Sequence, residues 1–152
     1  MSAALEDRRD HRSRDRLRRG RVVAYFYPRT GRPGVDPPPG WDQIPGARGC
    51  TPQSCSYRDH FHEFETLDAK VFGVSTQSTE RQQEFAARAS LPFALLSDPA
   101  LLFAQRLRMP TFELDGCGYY RRTTLVLSEQ RIQKVFYPVR SLLHMQQDIL
   151  LI

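Results

Sequence analysis

The run "RVVAYFYP", residues 21–28, constrains the fold of this chain more than any other stretch. It is β-branched and aromatic and ends at a proline, so it reads as a buried strand. A buried strand needs neighbours, and the rest of the chain supplies them in alternation. "KVFGVS" (70–75) reads as a second buried strand, and "LPFALLSD" (91–98) holds a short third. Between them lie helical stretches. "PQSCSYRDHFHEFETLD" (52–68) has Thr51 as a plausible N-cap and Pro52 at the first helical position. Its Tyr57, Phe61, Phe64 and Leu67 recur at spacings that form one apolar stripe. "STERQQEFAARAS" (78–90) is a second helix capped by Ser78 or Thr79, and "PALLFAQRLRM" (99–109) a short third. "YYRRTTLVLS" (119–128) and "RIQKVFYP" (131–138) are tightly joined, which predicts a hairpin. "SLLHMQQDILLI" (141–152) reads as a closing helix. Alternation followed by an antiparallel pair predicts an α/β fold, with a mixed central sheet and helices on both faces.

One stretch resists this pattern. Residues 29–49, "RTGRPGVDPPPGWDQIPGARG", are dense in proline and glycine and can hold neither helix nor strand. A loop of that length inside a compact domain marks a site wall, a lid or an insertion. Its expected role here is to wall a pocket around the cysteine that follows it.

The 152 residues favour one domain, read as an Arg-rich arm over 1–20 and a folded domain over 21–152. The net charge of +5 sits mostly in the arm, where residues 1–21 carry eight arginines against Glu6, Asp7, Asp10 and Asp15. In "DRRDHRSRDRLRRGR" (7–21), mixed charge with Leu17 as the one interior apolar residue has no face to bury, so the arm is read as a solvated tail rather than a nucleic-acid segment. No apolar run approaches membrane-spanning length, and the start has neither the pattern of a secretory signal nor the acid-poor composition of a transit peptide. The expectation is a cytoplasmic protein with no membrane partner.

Three cysteines in such a chain are more often thiols than staples, and an odd count excludes a fully paired framework. "GCTPQSC" (49–55) holds two of them. Cys50 falls where the loop becomes a helix, where first-turn amides and the macrodipole favour an anion. A thiolate there is expected to have a lowered pKa, with Arg48 adding positive charge. Cys55 is five residues on. On a regular helix the two Cα atoms are about 8–9 Å apart, beyond the roughly 7 Å that a disulfide tolerates. A permanent staple is therefore disfavoured, and a pair that bonds only when the first turn unwinds is reasonable. A metal clip from Cys50, Cys55, His60 and His62 is disfavoured too, because His60 and His62 point about 200° apart on a helix. No metal or organic cofactor is implied. Cys117, in the turn "DGCGYY", is read as incidental, although it could serve as a second resolving thiol. In "RRTTLVL", alternation puts Arg122, Thr124 and Val126 on one face and Arg121, Thr123 and Leu125 on the other. One of the two arginines is expected to point at the helix start, where a guanidinium would stabilise a thiolate and a departing oxyanion.

Taken in order, "VVAYFYP", "GCTPQSC", "VFGVSTQS", "PFALLSDP" and "RRTTLVLSEQRIQKVFYP" resemble a peroxiredoxin of the bacterioferritin-comigratory (PrxQ) type over roughly residues 22–140. The resemblance implies a thioredoxin-like fold and reduction of hydrogen peroxide and organic hydroperoxides. It implies that Cys50 is the peroxidatic cysteine, Cys55 the resolving cysteine and Arg122 the arginine of the family's strand motif. The implied partners are a peroxide substrate and a thioredoxin-like reductant, and the implied state is a monomer or homodimer. The alternative is a thioredoxin-fold module that binds or senses redox state without turnover. This sequence departs from the family pattern at one place. Ala47 stands three residues before Cys50, where the family has Thr or Ser, and the stretch from Pro28 to Cys50 is longer by about 15 residues. Thr30 and Thr51 are the nearest hydroxyls, and Gln53 stands where the subgroup often has Glu.

Overall fold

The computed structural model describes residues 20–129 and 131–138. The arm through residue 19 and the helix expected at 141–152 lie outside the described residues. Within them, β1 (Arg21–Phe26) is the central strand of a five-stranded mixed sheet. It pairs in parallel with β2 (Ala69–Ser75), which pairs in parallel with β3 (Leu95–Ser97). On its other side it pairs antiparallel with β6 (Thr123–Ser128), which continues antiparallel to β7 (Arg131–Phe136). The expected hairpin is thus β6–β7, with a register shift between Val126 and Leu127.

The period of two along β1 sorts the core into two layers. Val23, Tyr25 and Tyr27 join Cys50, Tyr57, Phe64, Val71 and Val126 on one face. Ala24 and Phe26 join Val74, Met109, Tyr120 and Leu125 on the other. The first face is covered by α1 (Cys50–Asp59), α2 (Phe61–Thr66) and α3 (Thr79–Arg88). Tyr25 stacks on Tyr57 of α1 at a centroid distance of 4.5 Å, and the Tyr27 hydroxyl donates to Gln82 Oε1 of α3 at 2.6 Å. The second face carries α4 (Leu102–Leu107), whose Phe103 meets Phe26 edge-on at 5.6 Å. No helix among the described residues is long and apolar enough to cross a membrane.

Four sequence expectations are corrected. The helix expected from Pro52 starts at Cys50, and its N-cap is Gly49 rather than Thr51. Gly49 sits at φ 97°, a conformation that residues with a Cβ adopt only with strain. That helix also stops at His60 (φ −102°, ψ 9°) and restarts as α2, which leaves Phe64 buried against Tyr57 but Leu67 exposed. The helix expected from Pro99 begins at Leu102, because the Asp98 carboxylate accepts from the Leu102 and Phe103 amides at 3.0 and 3.2 Å. Finally, 119–128 is not one strand. Its first part is β5 (Cys117–Tyr120), which pairs with an unforeseen β4 (Thr111–Leu114) in a separate two-stranded sheet. Arg121 and Arg122 fall between β5 and β6, and the Arg121 amide bonds Pro110 O at 3.0 Å.

The 29–49 segment does contain neither helix nor strand beyond a single 3-10 turn, Trp41–Gln43. Trp41, Ala47 and Phe112 form a third small apolar cluster. Trp41 contacts the rings of Phe112 and Tyr119 at 5.8 and 5.0 Å, so it fastens the segment to the β4–β5 hairpin.

Candidate active site

Cys50 is the first residue of α1 and is buried. Gly49 turns the chain so that the helix begins directly after the long loop, and the Gln53 amide closes the first turn on Gly49 O at 3.0 Å. Arg122 arrives from the residue just before β6 and is itself buried. Its Nη2 donates to Cys50 Sγ at 3.2 Å, to Arg48 O at 2.7 Å and to Gly46 O at 3.2 Å. Its Nη1 donates to Gln53 Oε1. The alternation read from "RRTTLVL" therefore holds. Arg122 faces Cys50, the Thr124 Oγ1 meets the Tyr57 hydroxyl, and Val126 packs in the same layer, while Arg121 lies over the Phe112 ring.

The environment of the Cys50 sulfur is mixed. Burial pushes its thiol above the ordinary value, while the Arg122 charge, the Arg29 backbone N–H, the Arg122 hydrogen bond and the Arg29 charge pull it down. Burial outweighs the cations in this closed arrangement, which corrects the expectation of a lowered pKa from the helix start alone. Arg48 does not supply the charge expected of it. Its guanidinium points to solvent and grips both carboxylate oxygens of Asp42, and only its carbonyl takes part in the site.

Cys55 lies one helical turn and a half further on, half-buried, on the same continuous α1. Intact helix geometry keeps the two Cα atoms about 8–9 Å apart, so the structure holds both as free thiols. Cys117 is exposed at the start of β5 and does not line the cavity beside Cys50. His60 pairs with Glu63 at 2.8 Å and His62 is exposed.

A cavity of about 300 Å³ opens beside Cys50. The long loop supplies most of its wall, including Val35, Pro37, Trp41 and Ala47, with Arg29 at one side and Thr51 and Pro52 at the other. Of the two hydroxyls near the missing family position, Thr30 is buried with its Oγ1 directed at Gln77, whereas Thr51 lines the cavity. Sequence reasoning did not find Arg29, the role of Gln53, or the Gly46 and Arg48 carbonyls. A signal for Arg29 was present: it follows the carboxyl end of β1, and open α/β sheets place ligands beyond that end of their strands.

Comparison with known proteins identifies the family and the fold. A model of the AhpC/TSA family matches residues 44–135. The chloroplastic peroxiredoxin Q of Sedum lineare is 40% identical over 108 residues, which are 64% of this chain and 50% of that protein. The chain thus spans about half the length of that plant relative. Peroxiredoxin Bcp of Bacillus subtilis is 31% identical over 123 residues, 78% of this chain and 69% of that one. The crystal structure of peroxidoxin BcpB from Mycobacterium tuberculosis superposes with a TM-score of 0.69 at 27% identity, covering 90% of this chain and 80% of that one. The fold is therefore the thioredoxin-like one of these proteins, and the chain belongs to the AhpC/TSA family as a peroxiredoxin of the Q/Bcp type.

Proposed function

We propose that the protein is a thiol peroxidase in which Cys50 attacks and Cys55 resolves. The observation that carries this reading is the Arg122 guanidinium 3.2 Å from Cys50 Sγ, at a helix start that opens on a cavity. The Cys50 thiolate attacks the terminal oxygen of a hydroperoxide, the O–O bond breaks, and the remaining oxygen leaves as water or an alcohol after taking a proton. Cys50 is thereby oxidised to a sulfenic acid. Arg122 and the first-turn amides stabilise the thiolate and the charge growing on the leaving oxygen. The first turn of α1 then unwinds, the Cys55 thiolate attacks the Cys50 sulfur, and hydroxide leaves as water. The disulfide is returned to two thiols by exchange with an external dithiol of the thioredoxin type.

Peroxide added in equimolar amount to the reduced protein, followed by mass spectrometry of the products, tests the assignment. The expected product is a Cys50–Cys55 disulfide. Cys55→Ser should accumulate oxidised Cys50, and Cys50→Ser should leave Cys55 reduced. Oxidation confined to Cys117 would remove the reading. Multiple turnovers with a dithiol reductant separate an enzyme from a module that only senses peroxide.

A further inference from the structure

The Arg29 backbone N–H is one of the groups that hydrogen-bond the Cys50 sulfur. Its aim depends on a stretch of chain that has left the sheet. β1 ends at Phe26, and the Tyr27 N–H still donates to Val74 O of β2 at 3.1 Å. Three residues on, a side chain makes the link. Gln77 follows the carboxyl end of β2, and its amide carries the same kinds of donor and acceptor as a peptide group. Its Oε1 accepts from the Thr30 N–H at 3.1 Å and from the Thr30 hydroxyl at 3.3 Å. Its Nε2 donates to Thr30 O at 3.1 Å. Both peptide groups that flank Thr30 are thereby held. Arg29 sits between this clamp and Pro28, whose ring fixes its own φ. Gln77 is itself anchored. Its N–H donates to Ser75 Oγ at 3.2 Å, and its carbonyl accepts from the Ser97 hydroxyl at 2.6 Å.

The structure assigns Gln77 as a positioning residue of the site: by clamping Thr30 it holds the Arg29 N–H against the Cys50 sulfur. The inference rests on the peroxidase reading of Cys50 and adds to it a residue outside the wall of the reaction cavity. A hydrogen bond to the sulfur favours thiolate over thiol, and the thiolate is the attacking form. The charged and titratable groups that face Cys50 are Arg122 and Arg29 and, from β1, the Tyr25 and Tyr27 hydroxyls. Gln77 is neutral and leaves that set unchanged, so what its removal alters is the aim of the Arg29 N–H. The clamp also gives the buried Thr30 hydroxyl its task, which is to face Gln77.

The test is the pH dependence of Cys50 alkylation by iodoacetamide in the reduced protein, read by mass spectrometry of the Cys50 peptide. Gln77→Met keeps the length of the side chain and removes the amide. Its midpoint should lie about one pH unit above that of wild type, the size expected for one hydrogen bond to a charged sulfur. The plateau at alkaline pH should be unchanged. Gln77→Asn keeps the amide but is one methylene too short to span to Thr30, so it should move the midpoint by a similar amount. It also decides the matter should the Met variant fail to fold. Ser78→Ala is the control for lost stability. It removes the cap of α3 beside the clamp, where Ser78 Oγ accepts from the Arg81 N–H at 3.3 Å. It should unfold more easily with its midpoint in place. An unmoved midpoint in both Gln77 variants, or an equal shift in Ser78→Ala, would overturn the inference. The peroxidase reading would survive that result so long as peroxide still joins Cys50 to Cys55 in wild type. Wild-type protein left unoxidised by peroxide would overturn that reading and, with it, the part played by Gln77.

Discussion

Arg122 meets four acceptors, and one of them is the reacting sulfur. Its partner Gln53 is fully buried, and the Gln53 Nε2 has no hydrogen-bond partner among the described residues. The amide matters because it is neutral. A carboxylate in its place would share the Arg122 charge and weaken the pull on the Cys50 thiol, in surroundings where such effects are large. Burial already holds that thiol above its ordinary value. The reactive thiolate therefore grows as pH rises through the folded-state pKa and is lost as pH falls below it. Gln53→Glu is expected to move the midpoint of Cys50 alkylation against pH to higher pH, with an unchanged plateau rate at alkaline pH. A midpoint unmoved or lowered would show that Gln53 only fills space. At this scale an arginine at the site was legible in the sequence, but strand alternation left Arg121 and Arg122 both open, and it was the family resemblance that implied Arg122. The acidity of Cys50 was not legible, because it depends on how completely the loop closes over the sulfur.

The elements were legible where the apolar pattern was regular and misread where backbone geometry intervened. β1 and β2 are found where their β-branched and aromatic runs predict, within a residue or two. The β4–β5 pair was missed because Thr111–Leu114 is short and its turn joins strands outside the main sheet. Between β1 and β2 the close approach is made by Gly73. A Cβ there would lie 2.5 Å from Leu95 Cδ2 and 2.7 Å from Tyr25 Cζ. Tyr25 cannot yield easily, since it is stacked on Tyr57 and bonded to the Ser54 hydroxyl at 2.9 Å. Gly73→Ala should therefore cost about 1–3 kcal/mol by chemical denaturation, in the range of other overpacked cores. It should also slow Cys50 oxidation if the displaced Tyr25 pushes α1. Full stability in this variant would mean that the strands can part without disturbing the rings.

At the scale of the whole molecule, one sheet separates two packed layers, and the candidate site lies past the carboxyl end of its central strand. The order of elements predicted the mixed sheet, since three alternating strands and a hairpin leave few other arrangements. That the 29–49 segment walls the site was expected from its position before Cys50, but what fastens it was beyond reach, because Trp41 meets the rings of Phe112 and Tyr119 far along the chain. The same segment meets α1 under one guanidinium. Arg122 bonds Gly46 O, Arg48 O, Cys50 Sγ and the Gln53 side chain, so a single buried cation clasps both the end of the loop and the first helical turn. Bonding of Cys50 to Cys55 requires that turn to come apart, and the clasp must let go with it. The oxidation state of the protein should then be written in its solvent exchange: the amide of Gln53, which bonds Gly49 O in the reduced form, should trade its proton for deuterium far faster in the disulfide form. The amides of β1 and β2 should stay protected in both. Equal protection of residue 53 in both forms would mean that the two sulfurs meet by some other movement.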